Sequence, residues 1–323
     1  MTVEKSNAVR LGLQYRLRQA ALNDRADLLA QLLEQGADPN APDDEGCTAL
    51  HYAVRLQPHL PDKSHLRLVQ QLLAAGARPE PATAGRRTPL FEAAANGLYR
   101  VVELLHLHGA AVLPQQPDGW TALHLLAAKF RHRPEGFELA RLEQGRLRRI
   151  TQADQVRQTL GYHPDDRFQQ YLQTFQLLLS LGADPNLRKR EEQQTPLFDA
   201  VLSRATPMVK ALLEAGAAPN VQDKWGAAPL HYAAESGHCT EVATLLAHGA
   251  DLNLRQTAGF TPLMLAALCG ATDCVHYLLQ RGAEVHHRST HRWEGVPPGS
   301  SAADIARLRN HPAVTALCND GAA

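Results

Sequence analysis

Aromatic residues are scarce in this chain: Phe, Trp and Tyr together make up 5% of its 323 residues. Its core must therefore be filled by smaller side chains, and a 44% apolar content supplies enough of them. No run of about 18 apolar residues occurs, which excludes a membrane-spanning helix. The opening MTVEKSNAVRLGLQYRLRQ lacks the apolar stretch of a secretory signal. A cytoplasmic protein is expected, although a non-classical secretion signal would leave no such trace. Neither sign of charge dominates, since 33 basic residues face 33 acidic ones. The field that drives non-specific nucleic-acid binding is thus missing, and neither nucleic acid nor membrane is expected as a partner. The five cysteines (Cys47, Cys239, Cys269, Cys274 and Cys318) are odd in number and form no C-x-x-C pair. They read as free thiols in a reducing compartment. No G-x-S-x-G, glycine-rich phosphate loop or H-E-x-x-H is present, so no catalytic set and no cofactor is expected.

Repetition is what the chain has instead. The segment GAAPLHYAAESGHCTEVATLLAHGADLN, Gly226 to Asn253, returns 33 residues later as GFTPLMLAALCGATDCVHYLLQRGAEVH, Gly259 to His286. The glycine of an L-L-x-x-G-A-like motif falls at Gly36, Gly76, Gly109, Gly182, Gly216, Gly249 and Gly282. A helix-opening motif stands ahead of it as TALH at Thr48, TPLF at Thr88, TALH at Thr121, TPLF at Thr195, APLH at Ala228 and TPLM at Thr261. Such a period marks stacked units that present an extended surface rather than an enclosed pocket. Thr261 is placed to accept from an orphan N–H at a helix start. Pro262 follows at the first helical position, where its missing N–H costs nothing. Leu263, Ala266 and Ala267 share one face of that helix, and Val275, Leu278 and Leu279 one face of the next. Gly282 then ends the second helix as a C-cap glycine.

These motifs resemble ankyrin repeats, whose signature is T-P-L-H-x-A at a period of about 33 residues, over nearly the whole chain. The resemblance implies an all-α ankyrin-repeat solenoid of paired antiparallel helices with β-hairpin-like finger loops, in a single domain over residues 1–323. About eight units are expected, near 13–40, 41–80, 81–113, 114–186, 187–220, 221–253, 254–286 and 299–320, the first and last being degenerate caps. It further implies that His51, His124 and His231 tie adjacent turns by hydrogen bonds, and that Asp38 and Asp184 of the G-A-D-x-N motif belong to loops. The implied function is non-enzymatic binding of another protein, as adaptor, inhibitor or scaffold, by a monomer. In this family partners meet the fingers and the exposed side of the first helices. Carried over, that face offers Asp44, Glu45 and Cys47 in the second unit, and Arg87, Ala95 and Asn96 in the third. The fourth offers Asp118, Trp120, Lys129 and Phe130; the sixth Lys224, Trp225, Glu235 and Ser236; the seventh Phe260. Trp120, Trp225 and Phe260 either pack on neighbouring fingers or line a groove for a peptide or helix.

Interruptions of the repeat are further candidates. From helix-opening threonine to closing glycine a regular unit takes 21 residues, whereas Thr48 to Gly76 takes 28 and Thr121 to Gly182 takes 61. The larger insertion, about 131–169, reads as helical and is densest in positive charge at Arg146, Arg148 and Arg149. It is an amphipathic excursion with a solvated basic face, a partner-binding element, or an active insert. The last would make the protein a secreted or host-directed effector, the alternative to the adaptor reading. The finger RKREE, with Lys189 and Arg190 beside Glu191 and Glu192, reads as a solvated tip. The long last finger HHRSTHRWEGVPPGS carries His286, His287 and His291 at a spacing that matches no zinc module, so no metal is expected. Trp293 beside Arg292 reads there as an exposed aromatic anchor.

Overall fold

The computed structural model describes residues 2–55, 62–80, 83, 87–112, 116–129 and 164–320. Phe130, Arg146, Arg148 and Arg149, with the insertion up to residue 163, lie outside the described residues. The chain divides into two compact units, Met1–Pro117 with Pro134–Ala183, and Asp118–Arg133 with Asp184–Ala323.

The first unit holds α1 (Thr2–Leu22), α2 (Ala26–Glu34), α3 (Ala49–Val54), α4 (Asp62–Ala74), α5 (Pro89–Ala95) and α6 (Tyr99–Leu107). The second contributes α7 (Ala122–Ala128), and α8 (Pro164–Ser180) belongs to the first again. The rest of the second unit is α9 (Pro196–Leu202), α10 (Thr206–Glu214), α11 (Pro229–Glu235), α12 (Cys239–Ala247), α13 (Pro262–Cys269), α14 (Thr272–Gln280), α15 (Ala302–Leu308) and α16 (Pro312–Asp320). The architecture is all-α, and one isolated bridge, Trp293 with Val296, is the extended pairing among the described residues.

Within the second unit the first helices α9, α11, α13 and α15 pack in one row, and the second helices α10, α12, α14 and α16 in another. Small side chains make this possible. The pairs Ala233–Ala234 and Ala266–Ala267 are wholly buried, as is Ala93–Ala94 in the first unit, so the short helices approach closely. The second helices supply larger groups, Val209 and Leu212, Val242 and Leu245, Val275 and Leu278, all fully buried. Each such leucine contributes roughly 1.5–3 kcal/mol.

Helix starts follow the sequence. The Thr88 hydroxyl accepts from the Phe91 N–H at 3.2 Å and that of Thr261 from the Met264 N–H at 3.4 Å. Gly282 closes α14 at φ +86°, a backbone region that L side chains rarely adopt. The degenerate last pair is α15 and α16, opened by a reciprocal cap between Ser301 and Asp304. At the other end α1 runs for 21 residues from Thr2.

Candidate partner-binding face

The fingers are closed by hairpin-like hydrogen bonds. The N–H of Asp43 donates to the Cys47 carbonyl (3.0 Å), that of Lys189 to Gln194 (2.9 Å), that of Asp223 to Ala227 (2.9 Å) and that of Gln256 to Phe260 (3.0 Å). In the second unit each finger is also bonded to the one before it: Arg190 N–H to the Asp118 carbonyl, Lys224 to Glu192, Thr257 to Trp225 and Thr290 to Ala258, at 2.9–3.1 Å. That crossing explains the finger glycine. Gly226 has φ +72°, and a Cβ there would stand 2.8 Å from the Thr257 nitrogen.

The recurring histidines fasten the base of the fingers. The Thr48 N–H donates to Nδ1 of His51, whose Nε2 lies 3.0 Å from the Arg87 carbonyl. Nδ1 of His124 accepts in the same way and its Nε2 meets the Gln194 carbonyl at 3.2 Å. His231 does so with Ala228 and Phe260. In each case the acceptor precedes the helix-opening residue of the next repeat. Because Nδ1 accepts, the ring must be neutral with its proton on Nε2. Burial enforces this: it lowers His51 and brings His124 down to about 3 and His231 to about 4. The loop role of Asp38 and Asp184 also holds, each side chain accepting from the N–H two residues on at 2.9 and 2.8 Å.

A second recurring contact was not foreseen. In three repeats the residue that opens the finger meets the residue four positions after the helix-opening Thr or Ala. Tyr52 donates to Asp43 at 2.7 Å and Tyr232 to Asp223 at 2.6 Å. Burial opposes charge on Asp43, but the Tyr52 hydroxyl and the N–H groups of Cys47 and Glu45 outweigh it and hold the carboxyl below its usual range. In the fifth unit the same two positions are Lys189 and Asp199. Lys189 is therefore no solvated tip. It is 4% exposed, its Nζ is 2.7 Å from Asp199 Oδ1, and it lies 3.8 Å from the centre of the Trp120 ring. The signal was in the sequence, as a charge of opposite sign at the equivalent helix position, but it shows only once the repeats are aligned.

Several expected residues take other roles. Phe260 is 0% exposed, held between the turns and against the Trp293 ring at 6.1 Å, so it is core and not a contact residue. Cys47 is buried as well. Trp120 is half-buried on Lys189 and leans on His124. The free-thiol expectation fails for one pair: Cys239 and Cys274, on the successive second helices α12 and α14, form a disulfide with Cα atoms 5.2 Å apart. Their separation of 35 residues approximates one repeat, a spacing at which stacking itself brings side chains together.

Asp44, Glu45, Arg87, Asp118, Lys129, Lys224 and Arg292 are exposed. Trp225 is 42% exposed at its finger tip, with the Lys224 Nζ 4.5 Å from its ring. Behind it lies a cavity of about 330 Å³ lined by Trp225, Tyr232, Glu235, Gln256, Leu265 and Trp293, with Ala227 and His231 completing the wall. The structure thus brings three expected residues, Trp225, Glu235 and Trp293, to one place, but Trp293, expected as an exposed anchor, is half-buried against Phe260 with its Nε1 out of solvent. Burial, and then the neighbouring Glu294 carboxylate, push the Glu235 carboxyl up. Among the described residues no group of three His, Cys, Asp or Glu converges as a metal site.

Three stretches of the chain, 17–115, 167–256 and 205–289, match the family model for ankyrin repeats (3 copies). Relatives include the ankyrin repeat protein nuc-2 of Neurospora crassa, 26% identical over 69% of this chain and 20% of that protein. The E3 ubiquitin-protein ligase KEG of Arabidopsis thaliana is 29% identical over 65% of this chain and 11% of its own length. The RelA-associated inhibitor of Mus musculus is 32% identical over 37% of this chain and 14% of its own. The chain thus spans a fifth or less of these relatives' lengths. Stacked Thr-capped helix pairs, histidine-tied turns and a family model matched over most of the chain lead to one conclusion: this chain belongs to the ankyrin-repeat family, whose repeats mediate binding to other proteins.

Proposed function

We propose that the chain is a non-enzymatic interaction module, a monomeric adaptor, inhibitor or scaffold that holds another protein against its fingers and first helices. The observation that carries this reading is Trp225. Its ring stands at a finger tip, 42% exposed, where neither finger closure nor helix packing uses it, beside a cavity walled by Trp293 and Tyr232. Exposed tryptophan at the edge of a concavity is the composition of a binding hot spot. That the RelA-associated inhibitor is a relative agrees with an inhibitor or adaptor role. Asp44, Glu45, Arg87, Asp118 and Lys129 extend the same kind of exposed surface, and Lys224 and Arg292 are the exposed neighbours in sequence of the cavity-lining Trp225 and Trp293.

The test is quantitative affinity capture with the parent chain and with Trp225→Ala, each checked by thermal unfolding. Proteins enriched by the parent and lost from a variant of unchanged melting temperature support the reading. The same proteins captured to the same extent by both would remove Trp225 from the binding face.

A further inference from the structure

The seventh repeat, like the fourth with Gln116 and Leu125, lacks this polar pair at the finger base. Asp223 has Tyr232 and Lys189 has Asp199. The equivalent residues of the next unit are Gln256 and Leu265, and Leu265 has no polar group to offer. Gln256 is 5% exposed and its Nε2 has no acceptor. The indole Nε1 of Trp293, equally out of solvent, has none either. Buried donors are nearly always satisfied in folded proteins. Both of these side chains line the cavity behind Trp225.

The same cavity carries an uncompensated negative group. Glu235 has no ion-pair partner among the described residues, and Glu294, near enough to raise its carboxyl, is itself engaged by Arg309 at 3.7 Å. Two carboxylates thus share one cation. The walls suit a second one, since tryptophan faces attract cations, and Trp225 already holds the Lys224 Nζ at 4.5 Å. A ligand that fits must bring a positive charge for Glu235 and a hydrogen-bond acceptor for the two orphan N–H groups. A free polyamine has the first without the second. A peptide with a basic side chain has both, and Trp225, at a finger tip, lines the cavity.

Resting on the binding-face reading above, we propose that this cavity takes a lysine or arginine side chain from an extended segment of the partner protein. The cation lies against the Trp225 ring and the Glu235 carboxylate. A main-chain carbonyl of the segment accepts from Gln256 Nε2 or Trp293 Nε1.

A display library of random linear peptides, panned against the full chain, tests this. The recovered peptides should share a lysine or arginine. Replacing that residue by norleucine, or Glu235 by glutamine, should each weaken a synthetic peptide by roughly 10- to 100-fold, read by tryptophan fluorescence. The two changes together should be far from multiplicative, because both remove one contact. Gln256→Leu should melt no lower than the parent, having lost an orphan donor, yet bind several-fold more weakly. Peptides with no shared basic residue that are still lost on Trp225→Ala would overturn the basic side chain and leave the binding face standing. Peptides indifferent to Trp225→Ala and Glu235→Gln would overturn both. Recovery of no peptide would overturn the proposal.

Discussion

Lys189→Ala should be among the most damaging single substitutions in the second unit, although the side chain stands in a finger. Lys189 and Asp199 are each at least 95% buried as side chains, 2.7 Å apart. Alanine at 189 strands the Asp199 carboxylate out of water. Removing one member of a buried pair costs about 3–5 kcal/mol, and loss of the Trp120 contact at 3.8 Å adds about 0.5–2 kcal/mol. Against a folding free energy of about 5–15 kcal/mol, that is a large fraction. Urea unfolding followed by circular dichroism measures it. Hydrogen exchange should place the loss in Asp118–Arg133 and Asp184–Ala323, which contain all three partners. Lys189→Met with Asp199→Leu, which removes both charges together, should recover most of the loss. A lysine on a solvated tip would behave otherwise, since exposed pairs are worth about 0–1 kcal/mol. Lys189→Ala unfolding within about 0.5 kcal/mol of the parent would therefore refute the buried pair.

The remaining predictions concern the repeat ties. His231 falls from 6.5 to about 4 on folding, so the unfolded chain binds the proton more tightly. Its contribution is complete above pH 6.5 and is lost as the pH falls towards 4, amounting to about 3 kcal/mol at the acid limit. Stability measured from pH 7 down to pH 4 should fall less steeply in His231→Gln than in the parent, and identical slopes would contradict the neutral buried ring. Gly226→Ala combines a positive φ with a Cβ 2.8 Å from the Thr257 nitrogen, whereas a Cβ at Gly216 would meet nothing within 4 Å. Gly216→Ala should cost about 1–2 kcal/mol and Gly226→Ala clearly more. Equal losses in thermal unfolding would show that the fingers do not cross as closely as described.

What the sequence made legible is what every repeat needs from its backbone. A threonine to cap, a proline after it, an alanine pair and a closing glycine recur because each unit solves the same geometric problem, so periodicity alone exposes them. The candidate site was legible only in part, because the fate of a finger side chain depends on its partner and not on its own chemistry. Phe260 looked like a contact residue and is core; Lys189 looked solvated and is buried. Phe260 is covered by Trp293, from a finger a full repeat later. Lys189 is held by Asp199 and by Trp120, which stands on the far side of the insertion. Composition at one position says nothing about such pairs. Comparing two positions across repeats does: Asp43 with Tyr52, Lys189 with Asp199 and Asp223 with Tyr232 keep a polar match while changing its identity. Gln116 with Leu125 and Gln256 with Leu265 do not. Of these two breaks, the one at Gln256 leaves a buried amide donor without an acceptor. The break lies where the chain also leaves a carboxylate without a cation and a tryptophan half in water. Separate defects at separate places would be destabilising accidents. Gathered in one cavity, they are the complement of a ligand.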